Sequence, residues 1–255
     1  WYPTVPSSND ATFPILVFGH CLVGAFFDAE YTYIWQSLVP LGYIVAMPMS
    51  YEWFGEQEEA RDIRYCLDWI RDNCTASNSC PLYNNIGDKA TVSGHSLGGG
   101  ASLYVIADWP LGQTFEYAFD SMITLSACGT DLTHKAAANI SKPVFFLDGD
   151  HDCMCPPNEF ADEYYQEVSD ANGACKYEAL ITNATHCNFA DLTDSQDAAC
   201  LSLEEEDCAH PESVLSVKTQ NSISAEYIAA FMNATLNEAN SYGALNALIQ
   251  SDLAR

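Results

Sequence analysis

Basic residues are scarce in this chain. Lysine and arginine together number 9 against 35 aspartates and glutamates, which leaves a formal net charge of −26. A surface of that sign repels phosphate backbones and anionic lipid headgroups, so we expect no nucleic-acid partner and no binding to anionic membrane surfaces. We interpret the acidity as a solubility feature and assign it no recognition role.

Long apolar runs are missing too. No very hydrophobic stretch approaches the roughly 18 residues that a membrane-spanning helix needs, although 48% of the residues are hydrophobic. Internal repeats, low-complexity blocks and linkers rich in Pro, Gly or Ser are also lacking. These absences argue against a membrane span and favour a single domain over residues 1–255. The chain begins at Trp1 without an apolar leader, so we expect any signal peptide to have been removed or left out.

Cysteine, in contrast, is abundant. Eleven cysteines occur together with four Asn-x-Ser/Thr sequons, and both features are typical of a secreted eukaryotic glycoprotein. The close pairs Cys74/Cys80 and Cys200/Cys208 are candidates for disulfides that staple surface loops, although sequence spacing does not set the connectivity. An odd count leaves at least one cysteine unpaired or bonded to another chain. The sequons begin at Asn73, Asn139, Asn183 and Asn233.

Six short apolar runs have the length and composition of β-strands, with helical patterns or long connections between most of them. The runs are residues 14–18, 43–47, 90–93, 121–125, 143–147 and 177–181. Apolar residues at helical spacing predict a helix after Glu56 and two more near the carboxyl terminus. This rhythm predicts an α/β fold with a mostly parallel central sheet and helices on both faces.

A nucleophile motif follows the third predicted strand. The segment 94–98, Gly-His-Ser-Leu-Gly, matches G-x-S-x-G and opens a predicted helix that runs towards residue 107. Glycines leave room for a tight strand-to-helix turn on which the serine hydroxyl is exposed, so Ser96 is the candidate nucleophile. The alternative is a glycine-rich turn with an ordinary helix-capping serine.

A serine hydroxyl needs a base within hydrogen-bond reach, and the base needs a carboxylate that sets its tautomer. Asp148, Asp150 and Asp152 follow the fifth predicted strand, where open α/β sheets place functional groups. His186 follows the last strand and is the candidate base. Its position completes the chain order Ser, Asp, His that accompanies a G-x-S-x-G strand-to-helix turn.

A serine that attacks a carbonyl carbon also needs backbone N–H groups that stabilise the developing oxyanion. One comes from the residue after the nucleophile, which is Leu97, and the other from the loop after the first strand. The Gly19-His20 turn there predicts His20 as the second donor, with Cys21 as the alternative if the loop is shifted by one residue. The structural alternative is a plain glycine turn.

Together these segments resemble the α/β-hydrolase fold, in the branch of dienelactone-hydrolase-like esterases, chlorophyllases and bacterial cutinase-type polyester hydrolases. The resemblance covers roughly residues 13–190. In this fold the acid commonly stands in a G-x-x-D segment followed shortly by proline, a register that selects Asp152, with Asp150 as runner-up and Asp148 in a structural role. The chain departs from the polyester hydrolases at two positions. His20 stands where they usually have an aromatic residue, and residues 126–129 lack their usual tryptophan. The resemblance therefore does not imply polyester cleavage.

We therefore expect a secreted, monomeric serine esterase that acts on neutral esters through Ser96, His186 and Asp152 without a metal or organic cofactor. The acidic surface should raise the pKa of His186, so that activity rises with pH through the neutral range. Two other classes remain open: a peptidase or acyltransferase with the same triad, and a catalytically silent binding module.

Two further expectations concern the surroundings of Ser96. The acid loop (residues 148–156) and the base loop (residues 185–187) must meet at the nucleophile. A disulfide from Cys153 or Cys155 to Cys187 is therefore plausible, with Cys187 paired elsewhere as the alternative. Aromatic side chains could wall the site or simply fill the core. The candidates for the walls are Phe26, Phe27, Trp53 and Trp109.

Overall fold

The computed structural model places most of the chain. The described residues are 1–4, 11–21, 30–50, 55–76, 79–170, 173, 175–191, 200, 204, 214–236 and 242–252.

Strands in the described residues form one sheet in which every neighbouring pair is parallel. The strands are β1 (Phe13–Gly19), β2 (Ile44–Ala46), β3 (Ile86–His95), β4 (Ser121–Leu125), β5 (Val144–Gly149) and β6 (Lys176–Ile181). Their order across the sheet is β2-β1-β3-β4-β5-β6. The direction in which the chain adds strands therefore reverses between β1 and β3, and open α/β sheets bind ligands at the carboxyl ends of such a pair.

Helices cover both faces of this sheet. They are α1 (Thr32–Leu38), α2 (Glu56–Ala76), α3 (Leu97–Ile106), α4 (Asp131–Ala137), α5 (Ala161–Glu167), α6 (Val217–Leu236) and α7 (Tyr242–Asp252). Side chains alternate along β1: Ile15 and Val17 pack with α2 and α3, whereas Leu16 and Phe18 pack with α1 and α6. The predicted α/β fold with a parallel sheet and helices on both faces is confirmed. Among the described helices, none combines the length and apolarity needed to cross a membrane.

Helix α2 shows why these residues form these elements. Its buried side chains Ile63, Leu67 and Ile70 repeat at helical spacing and face the sheet, and each such burial contributes about 1.5–3 kcal/mol. Glu56 and Glu58 lie in its first turn, where a negative charge interacts favourably with the helix dipole. The helix predicted after Glu56 is therefore confirmed.

Disulfides in the described residues correct two of the predicted pairings. The bonded pairs are Cys74–Cys80, Cys128–Cys155 and Cys187–Cys200. The Cys74–Cys80 staple is confirmed. The Cys200/Cys208 pair is wrong, because Cys200 bonds to Cys187. The bridge from Cys153 or Cys155 to Cys187 is wrong for the same reason. Loops that follow adjacent strands lie side by side, so the order of strands in the sheet decides which cysteines meet.

Candidate active site

Ser96 lies on a sharp turn between β3 and α3. Its backbone has φ 58° and ψ −122°, a conformation that costs a residue other than glycine about 1–3 kcal/mol. Gly94 and Gly98 make the turn sterically possible, because a Cβ on Gly94 would overlap the Gly98 carbonyl group. The turn places Ser96 at the carboxyl end of β3, next to the point where the strand order reverses.

Asp152 and His186 form a buried pair. Asp152 Oδ2 lies 2.7 Å from His186 Nδ1, and the two residues are 4% and 2% exposed. Asp152 Oδ1 accepts the N–H groups of Met154 and Cys155 at 2.9 and 2.8 Å. These hydrogen bonds hold the carboxylate in one orientation and place a proton on Nδ1, which leaves Nε2 of His186 able to accept a proton.

The other two aspartates of the acid loop have different surroundings. Asp150 Oδ1 accepts the N–H of Asn183 at 2.6 Å and so shapes the turn before the base loop. Asp148 is 1% exposed, and burial, followed by the charges of Asp152 and Glu178, raises its pKa well above the ordinary range. The structure thus places Asp152, and neither Asp150 nor Asp148, against His186.

The base loop is held from two sides. The Thr185 N–H donates to Gln220 Oε1 at 3.1 Å, and Gln220 Nε2 donates to the Thr185 carbonyl at 2.8 Å, which ties the loop to α6. On the other side, the His186 N–H donates to Glu204 Oε1 at 2.8 Å. Glu204 is 4% exposed. No sequence motif predicts this contact. The nearest feature along the chain that points to it is Cys200, which bonds to Cys187 of the base loop.

The pKa of His186 is raised above its ordinary value. Burial lowers it, but the charge and hydrogen bond of Asp152 outweigh burial, and the Glu204 charge adds to them. The His95 ring lies 4.7 Å from the His186 ring, centroid to centroid, and burial together with the His186 charge lowers the pKa of His95 well below its usual range. Of the two histidines, His186 is therefore the one that gains a proton.

A sulfur atom neighbours the Ser96 hydroxyl. Ser96 Oγ lies 3.4 Å from Cys128 Sγ, and within the described residues the hydroxyl forms no hydrogen bond with the His186 ring. The sulfurs of Cys128 and Cys155 and one ring nitrogen of His186 lie within 4.8 Å of one another. Because the sulfurs form a disulfide, neither is a thiolate that could bind a metal. Ser96 and His186 thus border the same cystine. Their lack of a direct hydrogen bond is compatible with catalysis, because catalytic hydrogen bonds often tighten only when substrate binds.

This edge of the sheet therefore carries a strained serine, a histidine with a free Nε2 and a buried carboxylate that orients the histidine. No family model matches the chain, and no curated protein matches it. The chemistry of the site follows from its geometry: the histidine can accept the serine proton, and the serine oxygen can attack an electrophilic carbon.

The two predicted oxyanion donors differ in their surroundings. Leu97 is the first residue of α3, so its N–H lies outside the helix's own hydrogen bonds and directly follows Ser96. The His20 N–H lies against the Glu59 carboxyl group, and the Cys21 N–H donates to the Tyr31 hydroxyl at 3.3 Å. The Leu97 N–H therefore stays a predicted donor, whereas the N–H groups of His20 and Cys21 face other partners.

Of the predicted wall residues, Phe26, Phe27 and Trp53 lie outside the described residues. Trp109 lines a cavity together with Arg64 and Phe115. This cavity lies beyond the carboxyl-terminal end of α3, and the length of that helix separates it from Ser96 by roughly 15 Å. Trp109 as a wall of the site is therefore wrong.

Glu59, beside the Gly19-His20 turn, should make the fold less stable as pH rises. Burial raises its pKa from 4.5 to about 8, the His20 N–H opposes that shift, and the charges of Asp62 and Glu56 add to it. Between these two pH values the folded protein keeps a proton that the unfolded chain releases, so the free energy of unfolding falls by up to about 1.4 kcal/mol per pH unit.

We therefore expect the Glu59→Gln variant to lose less stability than the wild type between pH 5 and pH 8. Urea unfolding at a series of pH values measures the difference, which should reach a few kcal/mol at pH 8. Glu116→Gln, at an exposed position, is the control and should follow the wild type. Parallel stability curves for Glu59→Gln and the wild type would show that Glu59 is not protonated in the folded state.

Proposed function

We propose that this protein is a serine esterase of the α/β-hydrolase type, with Ser96 as nucleophile, His186 as base and Asp152 as acid. The observation that carries the proposal is the strained Ser96 turn at the strand-order reversal, next to a buried Asp152–His186 pair. Backbone strain of this kind clusters at functional sites, where the surrounding structure maintains it. Burying a charged pair often adds no net stability to a fold, so a catalytic role explains the Asp152–His186 pair better than a purely stabilising one.

In the proposed mechanism, His186 Nε2 takes the Ser96 proton while Ser96 Oγ attacks the ester carbonyl carbon, and Asp152 stabilises the imidazolium. The Leu97 N–H stabilises the oxyanion. His186 then protonates the leaving alcohol. In the second half, His186 deprotonates a water molecule, which releases the acyl group from Ser96 as a carboxylate.

The charge of the chain supports neutral esters as the substrate class. With a net charge of −26, the surface potential disfavours anionic substrates and helps to expel a carboxylate product. We therefore expect neutral, apolar esters to be better substrates than esters that carry an acidic group.

Two measurements on the wild-type protein test the proposal: hydrolysis of p-nitrophenyl esters from acetate to palmitate, and peptide mapping of a fluorophosphonate adduct. We expect turnover with an optimum at one acyl length and an adduct on Ser96. Turnover with the adduct elsewhere would overturn the assigned nucleophile. An adduct on Ser96 without turnover of any ester would favour a peptidase or acyltransferase, and the absence of both would favour a binding module.

Replacing Glu204 with glutamine should shift the acid limb of the pH–rate profile to lower pH. His186 must be neutral to accept the Ser96 proton, so the rate rises as pH passes the pKa of His186. The Glu204 charge raises that pKa, whereas glutamine keeps a hydrogen-bond acceptor for the His186 N–H and removes the charge. We expect a shift of roughly 0.5–1 pH unit.

The profile of kcat/KM between pH 5 and pH 9 measures this shift, with Glu116→Gln as the control. An unchanged midpoint in Glu204→Gln would contradict the electrostatic role of Glu204. Because Asp152 and Glu204 are buried, salt screens them weakly. Salt should therefore lower the pKa of His186 only by the amount that the acidic surface contributes to it.

We also propose that the chain is exported and glycosylated. The three disulfides among the described residues fit an oxidising compartment, and the sequon residues Asn73, Asn139 and Asn233 are exposed. Asn183 is half-buried and lies three residues before His186, so a glycan there would stand at the rim of the site. Intact-mass spectra from a glycosylating host, before and after endoglycosidase treatment, test occupancy.

A further inference from the structure

The Cys128–Cys155 cystine lies beside each member of the proposed triad. The Cys128 N–H donates to the Ser96 carbonyl at 3.0 Å, and its sulfur lies 3.4 Å from Ser96 Oγ. The Cys155 N–H donates to Asp152 Oδ1 at 2.8 Å. Both sulfurs lie within 4.8 Å of a ring nitrogen of His186.

Regular secondary structure does not hold these contacts in place. Residues 150–160 contain no helix or strand, so a strand ladder does not restrain the two N–H groups that bind Asp152. The disulfide instead joins this loop to the segment after β4, the strand next to β5 in the sheet. That segment is packed closely on α3, because a Cβ on Gly100 would overlap the Cys128 carbonyl oxygen.

Resting on the proposed function, we propose that the Cys128–Cys155 cystine is a positioning element of the catalytic site, and that its reduction lowers activity. While the disulfide is intact, it holds the Cys155 N–H on Asp152 and fixes the acid loop relative to the Ser96 turn. When the disulfide is broken, that N–H is free to leave Asp152. The carboxylate then orients His186 less firmly and stabilises its positive charge less than in the intact protein.

A dithiol reductant supplies the reaction that breaks this bond. Its thiolate attacks the Cys128 sulfur, which is the more accessible one since Cys128 is half-buried and Cys155 is buried. The Cys155 sulfur leaves and takes up a proton. The second thiol of the reductant then closes its own disulfide and releases Cys128 as a thiol. Two electrons pass from the dithiol to the cystine, and each cysteine ends with one proton.

The test compares the variant Cys128→Ala/Cys155→Ala with Cys74→Ala/Cys80→Ala, which removes the cystine at the carboxyl-terminal end of α2. In the first variant we expect kcat to fall about 10- to 100-fold, KM to change less than about threefold, and the acid limb to move to lower pH. The control should keep kcat and its pH profile even if its Tm falls. Unchanged kcat per folded molecule and an unchanged acid limb in the first variant would overturn the proposal.

Graded reduction covers the case in which the first variant does not fold. Wild-type protein is treated with dithiothreitol at rising concentration, and peptide mapping follows each disulfide alongside activity. We expect activity to fall with the loss of Cys128–Cys155 and to return after oxidation by glutathione disulfide. Activity that survives complete loss of this disulfide, or that follows Cys74–Cys80 instead, would overturn the proposal.

An NMR titration of the His186 ring separates this inference from the proposed function, because it needs no substrate. In the described structure, the ionisable groups facing His186 are Asp152, Glu204 and His95, and all three remain when the cystine is removed. A lower titration midpoint without the cystine supports the positioning role even if no ester is hydrolysed. Equal midpoints overturn that role even if the wild type is an active esterase.

Discussion

Replacing Ser96 with alanine should lower kcat/KM for p-nitrophenyl esters by about 10⁴-fold or more. The substitution removes the attacking oxygen and leaves the Asp152–His186 pair and the Leu97 N–H in place. Within the part of the chain that the structure describes, the hydroxyl loses one contact, with the Cys128 sulfur at 3.4 Å, so we expect the variant to fold normally. Steady-state kinetics measure the loss, and the Tm of the variant shows whether the fold is kept.

Ser102→Ala is the matched control for Ser96→Ala. Ser102 lies in α3, the helix that follows Ser96, is fully buried and donates to the Gly98 carbonyl at 2.8 Å. Its removal should cost about 1 kcal/mol of stability and leave kcat/KM within a few-fold of the wild type. If Ser96→Ala kept more than a tenth of the wild-type activity, Ser96 would not be the nucleophile.

Replacing Asp152 with asparagine should lower kcat by about 10⁴-fold. The asparagine oxygen can still accept the Met154 and Cys155 N–H groups, which places its NH₂ group opposite His186 Nδ1. That NH₂ donates, so Nδ1 becomes an acceptor and the ring proton moves to Nε2. His186 then presents a proton to Ser96 where it should accept one, and kcat against pH measures the loss.

Asp150→Asn is the control for this second variant. Asp150 Oδ1 accepts the Asn183 N–H, and an asparagine oxygen can accept the same hydrogen bond. We expect kcat to stay within about threefold of the wild type, since no triad contact changes. Equal losses in Asp150→Asn and Asp152→Asn would indicate that the acid loop as a whole is needed, and not the Asp152–His186 contact in particular.

The strands were predictable from sequence because strands in a parallel sheet are buried on both faces and therefore read as apolar runs. All six apolar runs correspond to strands of the sheet. The largest difference is at β3, which begins at Ile86, although the apolar run begins at residue 90. Asp88 and Lys89 explain it, because they are exposed and interrupt the apolar pattern while the backbone continues the strand.

The loops were predictable only in part. The three aspartates of the acid loop could be separated by the register of a resemblance, which favours Asp152, whereas the structure separates them by their partners. Cysteine pairing followed sequence proximity for Cys74–Cys80 and failed for Cys200. Disulfides that join distant segments depend on which loops the sheet brings together, and local sequence carries no information on that distance.

The sequence by itself determined the α/β fold and the positions of Ser96, His186 and three candidate aspartates along it. Periodicity places each of them after a strand, and parallel strands carry all their carboxyl ends to one edge of the sheet. Only the tertiary structure decided the surroundings of these residues, above all the Cys128–Cys155 cystine and Glu204. Contacts of this kind join segments far apart in the chain, and their geometry is set by how loops pack on the finished sheet.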